Sequence, residues 1–233
     1  MARVLITGGT GLVGTAVKNL LLQKGYEVVL LTRSTVSKEG YAHWDIDAGT
    51  IDATAIAGAD YIIHLAGAGV ADKRWSVARK QEILDSRTKS SALLVKALQE
   101  TPNKVKAVIS ASAIGWYGPD QNSHSNNAHN KDLVTKGFVE TDPSYPDFLG
   151  TTCAAWEASI APVTANTNGL QKRLVCLRTG IVLSKHGGAL KEFLKPLALR
   201  MAAVLGNGKQ MISWIDVRDL AKMFVYAIEH ENL

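Results

Sequence analysis

Cysteine is scarce in this chain, which has only Cys153 and Cys176 among its 233 residues. The two cysteines lie far apart and without the spacing of metal ligands, which argues against a disulfide framework and against a zinc site. Two unpaired thiols fit a reducing compartment better than an oxidising one. We therefore expect a cytoplasmic protein with no bound metal.

Long apolar runs are also missing. No stretch approaches the roughly 20 residues that a membrane span requires, and the first predicted strand begins so close to Met1 that no room is left for a signal peptide. The composition, 46% hydrophobic and 20% charged, is that of an ordinary soluble globular protein. These features predict a single α/β domain over residues 1–233 with no membrane partner.

Clusters of like charge are absent as well. The net charge is +5 and the isoelectric point is near 9.1, but lysine and arginine are scattered and do not alternate with aromatic residues. Nucleic-acid binding is therefore the weaker interpretation, because attraction of phosphorylated small molecules is enough to explain a mildly basic chain.

Glycine, by contrast, is concentrated near the N-terminus. A buried-type strand at Val4–Ile6 leads into Gly8, Gly9, Gly11 and Gly14, and apolar residues then recur at helical spacing. Strand, glycine turn and helix together form the context of a dinucleotide-binding fingerprint. The early glycines allow a tight turn and close approach of a pyrophosphate, and the last allows the helix to pack on the strand. An ordinary glycine-rich turn without a ligand is the alternative.

The end of the second predicted strand bears on the choice of cofactor. NAD-binding chains usually place an acidic residue there for the ribose 2′-hydroxyl. Here the sequence reads Thr32, Arg33, Ser34, and a cation beside hydroxyls suits a 2′-phosphate. The pattern predicts NADP(H), with a solvated surface arginine as the alternative.

Two further strand ends carry candidate site residues. Residues 60–69 run from a strand into a loop of small residues, which leaves room for a flat ligand at the sheet edge. His64 in that strand could be catalytic, but a histidine bonded to the backbone is the more common finding. The strand at 104–110 opens into a segment whose hydroxyl groups lie where a substrate would meet the nicotinamide, and these belong to Ser110, Ser112 and Tyr117.

The remaining pattern alternates strands with helices. Helices are expected at residues 74–100 and 147–166, after Gly187–Gly188 toward residue 200, and over the last residues to about 230; a strand is expected at 173–177. Residues 37–59 read as irregular apart from a short third strand. His124 and His129 fall in a polar loop that indicates solvation rather than a metal site. The alternation predicts a Rossmann-type doubly wound parallel sheet with helices on both faces.

Several motifs together resemble the extended short-chain dehydrogenase/reductase superfamily. They are T-G-G-T-G-L-V-G at 7–14, H-L-A-G at 64–67, S-A-S-A-I-G-W-Y-G at 110–118 and W-I-D-V-R-D-L-A at 214–221. More narrowly, the chain is similar to the sugar-nucleotide epimerase branch of that superfamily, through A-D-K-R-W at 71–75, R-K-Q-E-I-L-D-S-R at 79–87 and R-T-G-I-V-L-S at 178–184.

The resemblance implies an NADP(H) site and a small C-terminal substrate lobe built from about residue 180 onward. Members of the branch continue beyond the position of Leu233, so the resemblance also implies that this lobe is truncated. The resemblance, the glycine turn and the strand ends together predict one set of cofactor contacts. They are Gly8, Thr10, Gly11, Leu12, Val13, Gly14, Thr32, Arg33, Leu65, Ala66, Gly67, Glu82, Arg87, Ser110 and Ile181.

One departure from the superfamily concerns its Tyr-x-x-x-Lys pair, in which a lysine lowers the pKa of a proton-transferring tyrosine. No tyrosine in this sequence has a lysine four residues later, and Leu149 and Cys153 stand at the aligned positions. Ser112 with Tyr117 is the substitute we expect to be catalytic, and Tyr145 is a second candidate.

Two functional hypotheses follow. The first is an NADP(H)-dependent oxidoreductase or epimerase acting on a nucleotide sugar or a similar small molecule, in which the cofactor does the hydride chemistry. The second is an NADP(H)-binding sensor or scaffold that has lost the chemistry. The helices on the sheet could pair subunits into a homo-oligomer, but the pattern does not fix this.

Overall fold

The computed structural model describes residues 1–35, 38–119, 137–166, 171–198, 208 and 211–233. Within these residues the main sheet has seven strands in the order β4-β3-β2-β1-β5-β6-β7. Their bounds are β1 Arg3–Thr7, β2 Glu27–Thr32, β3 Tyr41–Asp45, β4 Thr50–Ile51, β5 Tyr61–His64, β6 Ala107–Ala113 and β7 Arg173–Thr179. Every neighbouring pair is parallel except β3 and β4. The predicted doubly wound sheet is confirmed, and its strand order reverses between β1 and β5.

Five helices cover the two faces of this sheet within the described residues. They are α1 Leu12–Gln23, α2 Ala53–Gly58, α3 Val77–Glu100, α4 Phe148–Ile160 and α6 Val217–Glu229. Val4 and Ile6 of β1 belong to the core formed with α1 and α6, whereas Leu5 belongs to the core formed with α2 and α3. Because β1 is buried on both faces, its sequence is continuously apolar rather than alternating.

A second, three-stranded sheet lies in the C-terminal part. It consists of β8 Ile181–Ser184, β9 Gly187–Gly188 and β10 Trp214–Asp216 in the order β10-β8-β9, and α5 Ala189–Ala198 follows β9. No helix in the described residues is both long and apolar enough to cross a membrane.

Several local predictions need correction. The strand expected at 104–110 runs as β6 from Ala107 to Ala113. Residues 37–59 are not wholly irregular, because the Asp52 carboxylate accepts from the N–H groups of Thr54 and Ala55 and starts α2. The long helix begins at Val77 rather than 74, since Ser76 caps it. The helix from 148 stops at Ile160, and a 3₁₀ helix containing Pro162 follows. Strand β7 continues through Thr179, beyond the predicted end. His124 and His129 lie outside the described residues.

Candidate cofactor and substrate site

The turn between β1 and α1 depends on two glycines. Gly8 has a φ of +66°, and a β-carbon there would lie 2.8 Å from the carbonyl oxygen of Leu65. A β-carbon at Gly14 would lie 2.4 Å from the Gly8 carbonyl oxygen. Gly8 thus lets the turn pass against the loop after β5, and Gly14 lets α1 pack onto the turn. These are the two roles that the fingerprint predicts for its early and its last glycine.

The N-terminus of α1 has no side-chain cap. Gly11 is the N-cap residue, and the first turn contains no acidic residue. The other four helices that pack on the main sheet each have a side-chain cap. The capping residues of α2, α3, α4 and α6 are Asp52, Ser76, Asp147 and Asp216. The first N–H groups of α1 are therefore left for another acceptor, and a cleft of about 1040 Å³ opens beside Thr10, Gly11 and Leu12. A phosphate group fits this end of the helix.

Arg33 lies at the end of β2, as the sequence indicates. Its side chain is exposed and forms no ion pair with any described residue. The Thr32 hydroxyl oxygen accepts from the Ser34 N–H at 3.1 Å, which folds the chain back just after the strand. An unpaired cation here fits a phosphate on the adenosine ribose.

Thr7 links β1 to the loop after β5. Its hydroxyl oxygen accepts from the N–H groups of Leu65 at 3.0 Å and Ala66 at 3.1 Å. Its own proton is then directed to His64 Nδ1, 2.8 Å away, and His64 Nε2 lies 3.1 Å from the Ser91 hydroxyl. Burial lowers the pKa of His64 from 6.5 to about 3. His64 is therefore a neutral structural residue. Hydroxyl groups satisfy its ring nitrogens, so the expectation that the backbone would do so is wrong.

The loop containing Leu65, Ala66 and Gly67 is tied to α3. Arg87 Nη1 donates to the carbonyl oxygens of Ala68 at 3.0 Å and Ile83 at 2.9 Å, and burial lowers the pKa of Arg87. Glu82 pairs with Arg79 at 2.7 Å, and Arg79 also donates to the Gly69 carbonyl oxygen. The side chains of Glu82 and Arg87 thus hold the protein's own groups in this structure.

A charged pair that the sequence analysis missed lies beside the predicted catalytic residues. Arg178 on β7 and Glu157 on α4 form two hydrogen bonds, of 2.8 and 2.9 Å. The Ser112 hydroxyl donates to Glu157 Oε1 at 2.6 Å, and Arg178 Nη1 donates to the Tyr117 hydroxyl oxygen at 3.1 Å. The hydrogen bonds to Glu157 raise the pKa of Arg178. Ser112 and Tyr117 are therefore brought together through one ion pair.

Aromatic rings cover this ion pair. The Arg178 guanidinium lies 3.6 Å from the centroid of the Trp116 ring, and the Tyr117 ring stacks on Phe138 at 5.0 Å. Cation–π contact and stacking fix the Tyr117 segment against β7. The R-T-G-I-V-L-S motif contains Arg178, but no local pattern in the sequence indicates its partner on α4.

The positions aligned with the missing Tyr-x-x-x-Lys pair face the same segment. A β-carbon at Gly115 would lie 3.2 Å from the Leu149 β-carbon and 3.7 Å from the Cys153 sulfur. Burial raises the pKa of the Cys153 thiol. Tyr145, the second candidate acid, packs against Gly118, and its N–H donates to the Trp116 carbonyl oxygen at 2.7 Å.

Three further predicted contacts, Val13, Ser110 and Ile181, lie on α1, β6 and β8. Ser110 is buried in β6 and donates to the Ala111 carbonyl oxygen. Ile181 begins β8, and 37% of it is exposed. Among the described residues, no group of three or more His, Cys, Asp or Glu side chains is placed to hold a metal ion.

Comparison with known proteins identifies relatives over the whole chain. Residues 4–143 match the model of the NAD dependent epimerase/dehydratase family. The chain is 33% identical to an epimerase family protein of Mycobacterium tuberculosis, over 100% of this chain and 71% of the relative. It is also 33% identical to an epimerase family protein of Mus musculus, over 99% of this chain and 72% of the relative.

Solved structures agree with this relationship. A crystal structure of a human epimerase family protein with NADPH has a TM-score of 0.80 and 30% identity, covering 99% of this chain and 71% of that one. A nucleoside-diphosphate sugar epimerase of Corynebacterium glutamicum has the same TM-score and identity, covering 100% of this chain and 44% of that one. The family match and these relatives place the chain in the NAD dependent epimerase/dehydratase family.

Proposed function

We propose that the chain is an NADP(H)-dependent oxidoreductase or epimerase acting on a nucleotide sugar or a similar polar small molecule. The observation that carries the proposal is the uncapped N-terminus of α1 above the Gly8–Gly14 turn, facing an open cleft. The human relative crystallised with NADPH and the bacterial nucleoside-diphosphate sugar epimerase support the cofactor and the substrate class.

The residues that would hold NADP(H) follow the edge of the sheet. The turn and the first residues of α1 would hold the pyrophosphate, Thr32 and Arg33 the 2′-phosphate, and the loop after β5 the adenosine half or the nicotinamide ribose. Ser110 and Ile181 would lie toward the nicotinamide. Glu82 and Arg87 would contribute from α3, at the least by fixing the loop after β5.

Ser112 and Tyr117 would hold the reacting oxygen of the substrate. When bound, the nicotinamide supplies a hydride donor or acceptor. Because Ser112 donates its proton to Glu157, its oxygen presents lone pairs and can accept from a substrate hydroxyl. Because Tyr117 accepts from Arg178, its own proton remains available for a substrate oxygen. One group therefore accepts and the other donates, which suits an alcohol hydroxyl; its carbonyl form has no proton for Ser112 and would accept from Tyr117 alone.

An NADP(H)-binding sensor or scaffold without catalysis is the second candidate. The observation in its favour is the pair Leu149 and Cys153, which place an apolar side chain and a buried thiol where the superfamily has its proton-transferring tyrosine and lysine. On this alternative, the Glu157–Arg178 pair would serve only to join α4 to β7.

Transfer of deuterium from labelled NADPH to a panel of carbonyl compounds and nucleotide-4-keto sugars separates the two candidates. The proposed enzyme transfers the label, and Ser112→Ala and Tyr117→Phe each reduce the transfer rate by about 100-fold or more while NADPH binding is kept. Label transfer that persists unchanged in both variants would exclude these two residues as the reacting pair. Binding of NADPH without transfer to any compound would favour the sensor.

The proposal also covers the domain organisation, the cellular location and the assembly of the protein. On this proposal residues 1–233 would form one NAD(P)-binding unit, and the small sheet of β8, β9 and β10 with α5 would contribute part of the substrate lobe. Both cysteines are free thiols, which is consistent with a cytoplasmic location. A homo-oligomer paired through helices on the sheet is compatible with the fold.

A further inference from the structure

His43 lies beside the residue that ends β2. The two strands pair in parallel, with Thr32 opposite His43. Ala42 and Trp44, its neighbours in β3, belong to the core beneath α2 and α3, whereas Tyr41 packs with the core beneath α1. Because side chains alternate along a strand, His43 projects on the α1 side of the sheet, the side of the glycine turn.

One hydrogen bond fixes the tautomer of His43. Its Nδ1 lies 3.1 Å from the Ser34 carbonyl oxygen, and a carbonyl oxygen can only accept, so Nδ1 carries a proton. Nε2 makes no hydrogen bond to any residue in the described parts of the chain. It presents a lone pair when the ring is neutral and an N–H donor when the ring is protonated. The imidazole is therefore anchored on the carbonyl group of Ser34, the residue after Arg33, with Nε2 available to a ligand.

The charged groups near this position are mostly cationic. Arg33 directly follows Thr32, the residue opposite His43, and Lys38 lies with its ammonium group 5.0 Å from the ring centroid of Tyr41, on the same face of β3.

The Asp45 and Asp52 carboxylates on the neighbouring segments bind backbone N–H groups. The Asp52 N–H donates to the His43 carbonyl oxygen, but its carboxylate caps α2. The Asp45 carboxylate accepts from the N–H groups of Asp47 and Ala48, and Glu39 forms no ion pair with a described residue. In the described residues, no carboxylate neutralises Arg33 or His43.

We infer that His43 is a second ligand of the adenosine 2′-phosphate, donating from Nε2 in its protonated form beside Arg33. The inference rests on the proposed NADP(H) site and adds to it a residue that the fingerprint does not contain. A phosphate dianion accepts charge-assisted hydrogen bonds and favours the imidazolium over the neutral ring. His43 would thus favour NADPH over NADH, and more strongly at acidic than at alkaline pH.

Titration of NADPH and NADH fluorescence tests this with the whole chain, for the wild type and for His43→Gln. Glutamine can still donate to the Ser34 carbonyl oxygen but cannot become a cation. His230→Gln is the matched control, because His230 Nδ1 also lies 2.9 Å from a backbone carbonyl oxygen, that of Tyr226 at the end of α6. Measurements are made at about pH 6 and about pH 8, on either side of the usual histidine pKa.

At about pH 6, His43→Gln is expected to weaken NADPH binding by roughly three- to tenfold and to leave NADH binding unchanged. The effect should shrink toward about pH 8 and be absent in His230→Gln. The variants are compared with each other at each pH, because the 2′-phosphate itself takes up a proton near about pH 6. Unchanged NADH binding also verifies that the variant is folded.

The possible outcomes separate this inference from the proposed function. If the wild type prefers NADPH and His43→Gln binds it equally well at both pH values, the inference is overturned and the proposed cofactor stands. An equal loss for NADPH and NADH would also overturn it, since the effect would not involve the 2′-phosphate. If the wild type shows no preference for NADPH, both the inference and the NADP(H) assignment fail.

Discussion

His64 illustrates how single residues stabilise the edge of the sheet. It is fully buried, and its two ring nitrogens face the hydroxyl groups of Thr7 and Ser91. In a neutral ring these contacts satisfy both nitrogens, one as acceptor and one as donor. Protonation would place a second donor and a charge in the core, which explains the low pKa.

We expect His64 to make the protein less stable in acid. Between pH 6.5 and about 3, the unfolded chain binds a proton at this residue that the folded chain does not, so the free energy of unfolding falls as the pH falls. His64 alone should lower it by about 2 kcal/mol between about pH 7.5 and about pH 5.

Urea unfolding at both pH values measures this contribution. Because carboxylates also titrate in this range, the quantity of interest is the difference between the wild type and His64→Gln, which should lose about 2 kcal/mol of the pH dependence. His230→Gln, which alters an exposed histidine, should keep the wild-type dependence. An unchanged dependence in His64→Gln would mean that this ring is not held neutral.

At the same scale, the sequence predicts some site residues and misses others. Arg33 and the glycines follow from local patterns, because each acts through its own place in a strand end or turn. The partners of His64 are 57 and 27 residues away, and Glu157 is 45 residues from Ser112. Such pairs form only through the tertiary fold, and no local spacing encodes them.

Among the elements, α1 combines two glycine roles that can be separated experimentally. Gly11 has an extended conformation with φ of −73°, and a β-carbon there would lie 3.3 Å from the Gly8 carbonyl oxygen. Other residues can adopt this conformation, so the fold itself tolerates a side chain at Gly11. A β-carbon at Gly14 would lie 2.4 Å from the same oxygen and 2.6 Å from the Gly9 α-carbon, which requires the helix to move.

Gly11→Ala should therefore mainly reduce NADPH affinity, whereas Gly14→Ala should mainly reduce the stability of the fold. Gly11→Ala should change the free energy of unfolding by about 1 kcal/mol or less. It should weaken NADPH binding by roughly tenfold or more, because its methyl group would lie where the proposed site holds the pyrophosphate. Gly14→Ala should cost about 2–3 kcal/mol of stability through overpacking. Urea unfolding and NADPH titration of both variants measure these effects. Wild-type affinity in Gly11→Ala would place the pyrophosphate elsewhere.

The short helix α2 marks the limit of prediction at the scale of elements. Long periodic segments such as α3 are predicted within a few residues, but α2 has six residues, too few for an apolar period to be recognised. Its start depends on the Asp52 cap, and its place depends on Ala55 and Ile56 packing in the core beneath the sheet. The capping residue and the apolar residues can be read in the sequence, but they predict a helix only when the packing of α2 in the fold is known.

In the molecule as a whole, strand order places the candidate groups at one edge of the sheet. Because β1, β5 and β6 are parallel neighbours, the glycine turn, the loop after β5 and the end of β6 lie side by side at the carboxyl edge of the sheet, next to the reversal of strand order. The alternation of strands and helices predicts this arrangement. The second sheet was not predicted as a separate element, because its strands have two to four residues.

The most direct measurement is a fluorescence titration of the purified chain with NADPH and with NADH, repeated for Arg33→Ala. We expect the wild type to bind NADPH more tightly, and Arg33→Ala to lose about 1–3 kcal/mol of NADPH binding with little change for NADH. Equal affinities in the wild type would contradict a 2′-phosphate site at the end of β2. Failure to bind either dinucleotide would contradict the cofactor site itself.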